Sequence, residues 1–351
     1  MQASAGRIWE VLTTPRLMAR PALSAMVAVA MIALGRSLQL GFGGAIVLVG
    51  ISALVAFGTK RDPARFAIAV VLLLLTGVFA PSGGWGNVLH AERTFFGVYR
   101  VSVDDERRFI SLFHGTTLHG RQVLGDRNPE PKTYYHPRSP IGQVFAARAS
   151  QSDLSVGVVG LGVGSLAAYA KPHETWTFYE IDPAVERIAR ANQYFTFLNR
   201  CGNRCRVVLG DARVSLAQEP QRYDILVLDA FSSDAIPIHL ITREAIATYL
   251  DHLQANGAIA VHISNRHVAL RPVLARLARD HGLVAFGSLG VATKSDETIH
   301  GYSPSDWVVM ARDVASIEAV VVPHRWVRLV PDQAPAWSDD FSNIWTAMRW
   351  Q

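Results

Sequence analysis

Cysteine is scarce in this chain: two among 351 residues, Cys201 and Cys205, close together in a polar segment. No further Cys or His follows at metal-ligand spacing, which argues against a structural zinc site. Neither cysteine reads as a catalytic thiol. Two reduced thiols are the preferred reading, and a disulfide in an oxidising compartment is the alternative. A run of lysines interleaved with aromatics is also lacking, and the net charge of +5 is modest, so a nucleic-acid partner is not expected. No catalytic metal is expected either. His119, His136, His239, His262 and His267 are scattered, and lone histidines more often serve structure than ligation.

Charge is sparse from Pro21 to Pro81, where three apolar stretches stand out at residues 22–34, 40–58 and 66–80. A helix needs about twenty residues to cross the hydrocarbon core of a bilayer. The second stretch meets that length, the third is short but intensely apolar, and the first is marginal. Residues 1–81 are therefore expected to be a membrane region of two or three hydrophobic helices, giving a multi-pass protein of the bacterial inner membrane. Arg7, Arg16 and Arg20 favour a cytoplasmic N-terminus, and Lys60, Arg61 and Arg65 a cytoplasmic second loop. With three spans those charges would leave the large domain outside. The need for a cellular cofactor conflicts with that and is given more weight, so the large domain is expected in the cytoplasm.

From Glu92 onward the pattern is that of an ordinary folded domain. RTFFGVYRVSV and FISLFHGTTLHG alternate and are rich in β-formers, so residues 82–150 read as a small β-strand domain. From Val156 strands and helices alternate, the mark of a doubly wound α/β sheet over residues 151–351. Strands are expected at 156–160, 175–181, 206–209, 224–228 and 258–263, with a late one at WVVMAR. Helices are expected at 165–170, 184–193, 243–254 and 270–280.

The ends of those strands carry the chemistry. VGVVGLGVGS places Gly160, Gly162 and Gly164 between a strand and a helix start, where glycine lets the backbone turn tightly and approach a ligand. Glu180 closes the next strand, where a carboxylate can accept hydrogen bonds from both hydroxyls of a ribose. Asp211 and Ala212 follow the third strand and Asp229 ends the fourth. Ligands of open α/β sheets bind at such carboxyl ends. Together these positions point to an adenosyl cofactor of the S-adenosylmethionine type.

Between Arg93 and Asn343 the chain resembles the spermidine synthase family, within the class I methyltransferase fold. It is most similar to the membrane-attached bacterial members. The resemblance rests on FFGVYRV, HGTTLHGRQ, YYHPRSPIG, the glycine loop, YEID, GDAR, LDAFSSDAIPIHLITREA, VHISNR and DDFSN. It implies a Rossmann-like domain behind a small N-terminal β-domain, with Glu180 on the ribose and Asp211 with Ala212 at the adenine. It further implies catalytic roles for Asp229, which takes a proton from the attacking amine, and for Tyr135 and Asp234. His136 and Tyr302 would border the amine. Leu118 stands where the family has a glutamine, leaving Gln122 nearby as the cofactor-binding candidate. The family is commonly oligomeric, so a homodimer is conceivable.

Two features depart from the family. Val163 occupies the place of an acidic residue in the glycine loop, and Asp229 and Asp234 are five apart instead of the tighter DSSD. The expected function is transfer of an aminopropyl group from decarboxylated S-adenosylmethionine to an amine such as putrescine. Loss of the loop carboxylate keeps two alternatives open: a methyltransferase using intact S-adenosylmethionine on a membrane-associated acceptor, or a non-catalytic module that binds an adenosyl ligand or polyamine.

Overall fold

A computed structural model describes residues 2–37, 42–79, 86–231, 236–265, 268–324 and 326–348. It divides into two compact units, Met1–Gly86 and Asn87–Gln351. The first is helical: α1 (Gln2–Thr13), α2 (Pro15–Ser37), α3 (Phe42–Phe57) and α4 (Pro63–Phe79). Val11, Ala64 and Ile68 form its small buried cluster. Arg7 pairs with Glu10 at 2.8 Å and with Asp62 at 3.0 Å.

Among the described residues no helix is long and apolar enough to cross a membrane. The apolar helices α3 and α4 hold 16 and 17 residues. At about 1.5 Å of rise per residue they reach only about 24–26 Å, short of a hydrocarbon core of about 30 Å. The longer α2, with 23 residues, carries Pro21 and three arginines in its sequence. The multi-pass inner-membrane assignment and its bilayer partner therefore fall, and with them any placement of the large domain relative to a membrane.

The second unit begins with an antiparallel sheet of four strands in sequence order, β1 (Asn87–Arg93), β2 (Val98–Val103), β3 (Phe109–His114) and β4 (Thr117–Val123). After α5 (Pro140–Ala147), capped by the Ser139 hydroxyl, the α/β sheet begins. Its strands are β5 (Ser155–Val159), β6 (Thr175–Glu180), β7 (Cys205–Leu209), β8 (Tyr223–Leu228), β9 (Leu253–His262), β10 (Val284–Gly290), β11 (Ser305–Ala311) and β12 (Val327–Arg328). They lie in the order β12-β10-β11-β9-β8-β5-β6-β7. The five from β9 to β7 are parallel, while β10, β11 and β12 are antiparallel. The connecting helices include α6 (Pro183–Arg190), α7 (Phe197–Cys201), α8 (Ala212–Gln218), α9 (Arg243–Asp251) and α10 (Leu270–Asp280).

Successive residues of the central strands sort into two cores. Val156 and Val158, Ile225 and Val227, and Ala258 and Ala260 belong to one. Val159, Leu226, Leu228, Ile259 and Val261 belong to the other. A strand covered on both faces reads as a continuous apolar run, which is why the strands were visible in the sequence. From β5 the chain runs outward through β6 to β7 on one side, then crosses back to β8 on the other, so the direction of winding reverses beside β5. This is the topological switch point at which open α/β sheets bind ligands.

Local departures are small. The helix expected at 165–170 is a 3₁₀ turn, Ser165–Tyr169, and α9 stops before the expected 254 because β9 starts at Leu253. Cys201 and Cys205 are joined in a disulfide with Cα atoms 5.6 Å apart, tying the end of α7 to the start of β7. The preference for reduced thiols is thus overturned: the short α7 turn brings both to one place.

Candidate active site

The glycine loop after β5 turns through left-handed backbone, with φ of 99° at Gly160 and 54° at Gly162. A Cβ on Gly160 would stand 2.4 Å from the Asp229 carbonyl oxygen. Glycine is what lets the ends of β5 and β8 meet. The loop opens on a cavity of about 570 Å³, a size in the range that takes small-molecule cofactors. Gly160, Gly162, Glu180, Asp211, Ala212 and Asp229 all line it.

Glu180 ends β6 with its carboxylate buried. Oε2 accepts from the Leu161 N–H at 3.1 Å and Oε1 from the Asp182 N–H at 2.9 Å. Burial raises its pKa above the usual carboxylate value, and those backbone donors pull against the shift. Asp211 caps α8, accepting from the Arg213 and Val214 N–H groups through Oδ1. Its Oδ2 lies 3.0 Å from His239 Nε2. Ile236, Pro237, Ile238 and Leu240 supply an apolar wall.

Asp229 is held at both oxygens. The Tyr135 hydroxyl donates to Oδ2, and His262 Nδ1 lies 2.6 Å from Oδ1. Burial and the neighbouring Asp229 push the hydroxyls of Tyr134 and Tyr135 well above the ordinary tyrosine value, so both stay protonated.

Other candidates lie further out. Gly164 packs on Leu198 beneath the loop. His136 and Tyr302 have ring centroids 5.3 Å apart and form a pair that does not line the cavity. Burial, with Lys132 and Arg138 nearby, lowers the His136 pKa to about 4. Gln122 is not brought to the cavity: it donates to the Asp126 carbonyl at 2.7 Å and accepts from the Thr196 N–H at 2.9 Å. Asp234 and His267 lie outside the described residues.

Sequence reasoning missed the wall that β2, β3 and β4 contribute through Tyr99, Leu112, His114 and His119. It also missed His262, which ends β9 as Asp229 follows β8. Its position at the carboxyl end of a parallel strand was the available signal. Val163 is fully buried, and β4 presses on it so closely that a Cβ on Gly120 would meet Val163 Cγ2 at 2.5 Å.

No family model matches the chain. A polyamine aminopropyltransferase of Vibrio vulnificus is 29% identical over 203 residues, which are 56% of this chain and 66% of that protein. Over that stretch the chain is similar to a polyamine aminopropyltransferase. It spans less than two thirds of the length of the curated relatives it matches. An N-terminal histidine N-methyltransferase of Emericella nidulans is 32% identical over 111 residues, 30% of this chain and 19% of that protein. Among solved structures, a probable spermidine synthase from Corynebacterium glutamicum superposes with a TM-score of 0.54 at 16% identity, covering 74% of this chain and 98% of its own. The fold is thus the Rossmann-like one of spermidine synthases, with the N-terminal β-sheet.

Proposed function

We propose that the chain is an aminopropyltransferase that moves the aminopropyl group of decarboxylated S-adenosylmethionine to an amine such as putrescine. The observation that carries this reading is Asp229, a carboxylate on the cavity wall beside the glycine loop, held by a protonated Tyr135. In the reaction the amine nitrogen forms a bond to the carbon next to the sulfonium. The carbon–sulfur bond breaks and its electron pair stays on sulfur, giving methylthioadenosine. Asp229 binds the amine and takes the proton it must lose. Each carboxylate oxygen has two acceptor sites, so the bonds to Tyr135 and His262 leave room for an amine.

Glu180 holds the ribose hydroxyls, and Asp211, Ala212 and the apolar wall at Ile236–Leu240 hold the adenine. Asp234 is assigned as the second amine ligand, whereas the His136–Tyr302 pair stands outside the cavity and is given no contact with the amine. Much of the rate comes from holding amine and carbon in line, since well-oriented partners react as if at very high concentration.

One observation favours a second reading. The glycine loop offers buried Val163 and no carboxylate to the cofactor tail, so the site lacks a specific attraction for the lone ammonium of the decarboxylated cofactor. Methyl transfer from intact S-adenosylmethionine is that reading. Binding of the two cofactors, measured side by side, separates them, together with putrescine turnover by the wild type and Asp229→Asn. Preference for the decarboxylated form, with turnover lost in the variant, supports aminopropyl transfer. Preference for the intact form and no product from putrescine sinks it.

A further inference from the structure

Asp229 is buried, its side chain 2% exposed, and His262 beside it is 5% exposed. A carboxylate withdrawn from water stays ionised only where donors replace its hydration. Tyr135 supplies one donor. The other is the imidazole of His262: an ionised carboxylate only accepts, so Nδ1 carries the hydrogen of the 2.6 Å bond.

The ring is itself fixed. Nε2 lies 2.7 Å from Ser264 Oγ, and the ring stacks with Tyr134 and Trp307 at centroid distances of 4.5 and 4.6 Å. Phe231 meets it edge-on at 4.9 Å. Ser264 Oγ also accepts from the Asp306 N–H at 2.8 Å. Its hydroxyl hydrogen remains available for a neutral Nε2, and its second lone pair for a protonated one. The groups facing His262 are thus Asp229 after β8, Tyr134 before α5, Ser264 after β9 and Trp307 on β11. Beyond Ser264 lies the Asp306 carboxylate, neutralised by Arg271 at 2.7 Å.

We propose that His262 is the positioning residue of this site: its Nδ1–H fixes the Asp229 carboxylate for an incoming amine. The inference rests on the reading of Asp229 as proton acceptor. The arrangement is that of a Ser-His-Asp chain with its roles reversed. The aspartate faces the cavity, and the histidine and serine stand behind it as support.

The test is a titration of the Asp229 carboxyl by carbon-13 NMR in the full chain, for wild type, His262→Phe and His262→Asn. Asparagine can place its amide N–H where Nδ1–H stood. Phenylalanine keeps the ring without the donor. The expected result is an Asp229 midpoint raised by about one pH unit or more in His262→Phe, roughly tenfold in the acid constant, and largely restored in His262→Asn. With putrescine and decarboxylated S-adenosylmethionine, the acid limb of the kcat profile follows the same midpoints. In the phenylalanine variant kcat falls about a hundredfold or more, while the KM for the cofactor holds. An unmoved midpoint overturns the proposal, as does an asparagine variant no closer to wild type than phenylalanine. Should His262→Phe fail to fold, the midpoint of His262→Asn decides: near wild type it supports the role, raised it refutes it. A midpoint that moves as expected in a protein that turns over no amine would remove the proposed transfer reaction and leave the positioning role standing.

Discussion

Gly160 and Asp229 meet backbone to backbone across the ends of β5 and β8. The Asp229 N–H donates to the Val159 carbonyl at 2.8 Å, and the space for a Cβ on Gly160 is already filled by the Asp229 carbonyl. The same contact that closes the sheet sets the position of the candidate proton acceptor. Gly160→Ala meets both a clash and a left-handed φ. It is expected to cost on the order of 1–3 kcal/mol of stability, read by denaturant unfolding. It also pushes Asp229 out of place, and a displacement near 1 Å is worth about a hundredfold in rate. A variant with wild-type stability and turnover would show that the loop has more room than this contact allows.

Val163→Asp restores the residue type that the family carries in the loop, yet it should not restore the family's cofactor preference. Val163 is buried under β4 against Gly120, so an aspartate there loses its water. A loss on the order of 3 kcal/mol is expected, seen as a lower urea midpoint with an unchanged slope. Tighter binding of decarboxylated S-adenosylmethionine by a well-folded variant would contradict this placement of the side chain.

Asp229 was legible because it follows ILVL in β8, an apolar run that a doubly covered strand explains, while Glu180 was legible because β6, TWTFYE, is rich in β-formers. His262 was not legible, since a histidine at the end of AIAVHI reads equally as core until its partner across the sheet is known. Gln122 reads as a cofactor ligand only by its nearness to Leu118, where the resembled family has a glutamine, whereas tertiary structure gives its amide to Thr196 and Asp126. In the first 86 residues the apolar runs at 40–58 and 66–80 were legible and become α3 and α4. Their 16 and 17 residues fall short of a membrane span, which is where the reading of those runs failed.

His136 titrates at about 4, against about 6.5 in an unfolded chain. Between those values the unfolded chain binds the proton and the folded one does not, so stability rises with pH across the window. The contribution is fully present above pH 6.5 and is lost as pH falls toward 4. His136→Gln cannot take up the proton, so the difference in melting temperature between it and wild type should shift in the variant's favour from pH 7 to pH 4.5. A histidine NMR midpoint near 6.5 in the folded protein would refute the assignment.

Glu180 has the opposite sign, and this separates its structural from its binding role. Burial raises its folded pKa above the unfolded value. Its protonation therefore favours the native state, and that gain is lost as pH rises through the folded pKa. Ribose recognition needs the ionised form, which has acceptor sites left over after the Leu161 and Asp182 N–H groups are served. On acidification into this window, the Glu180 contribution to apo stability should grow while affinity for methylthioadenosine falls. Glu180→Gln isolates both trends. It should weaken methylthioadenosine by about tenfold or more at pH 7, the worth of one hydrogen bond to a charged group, and flatten the acid dependence of binding measured by calorimetry. Equal affinity in wild type and variant across that range would mean that the buried carboxylate serves only to hold the glycine loop, and that the ribose is gripped elsewhere.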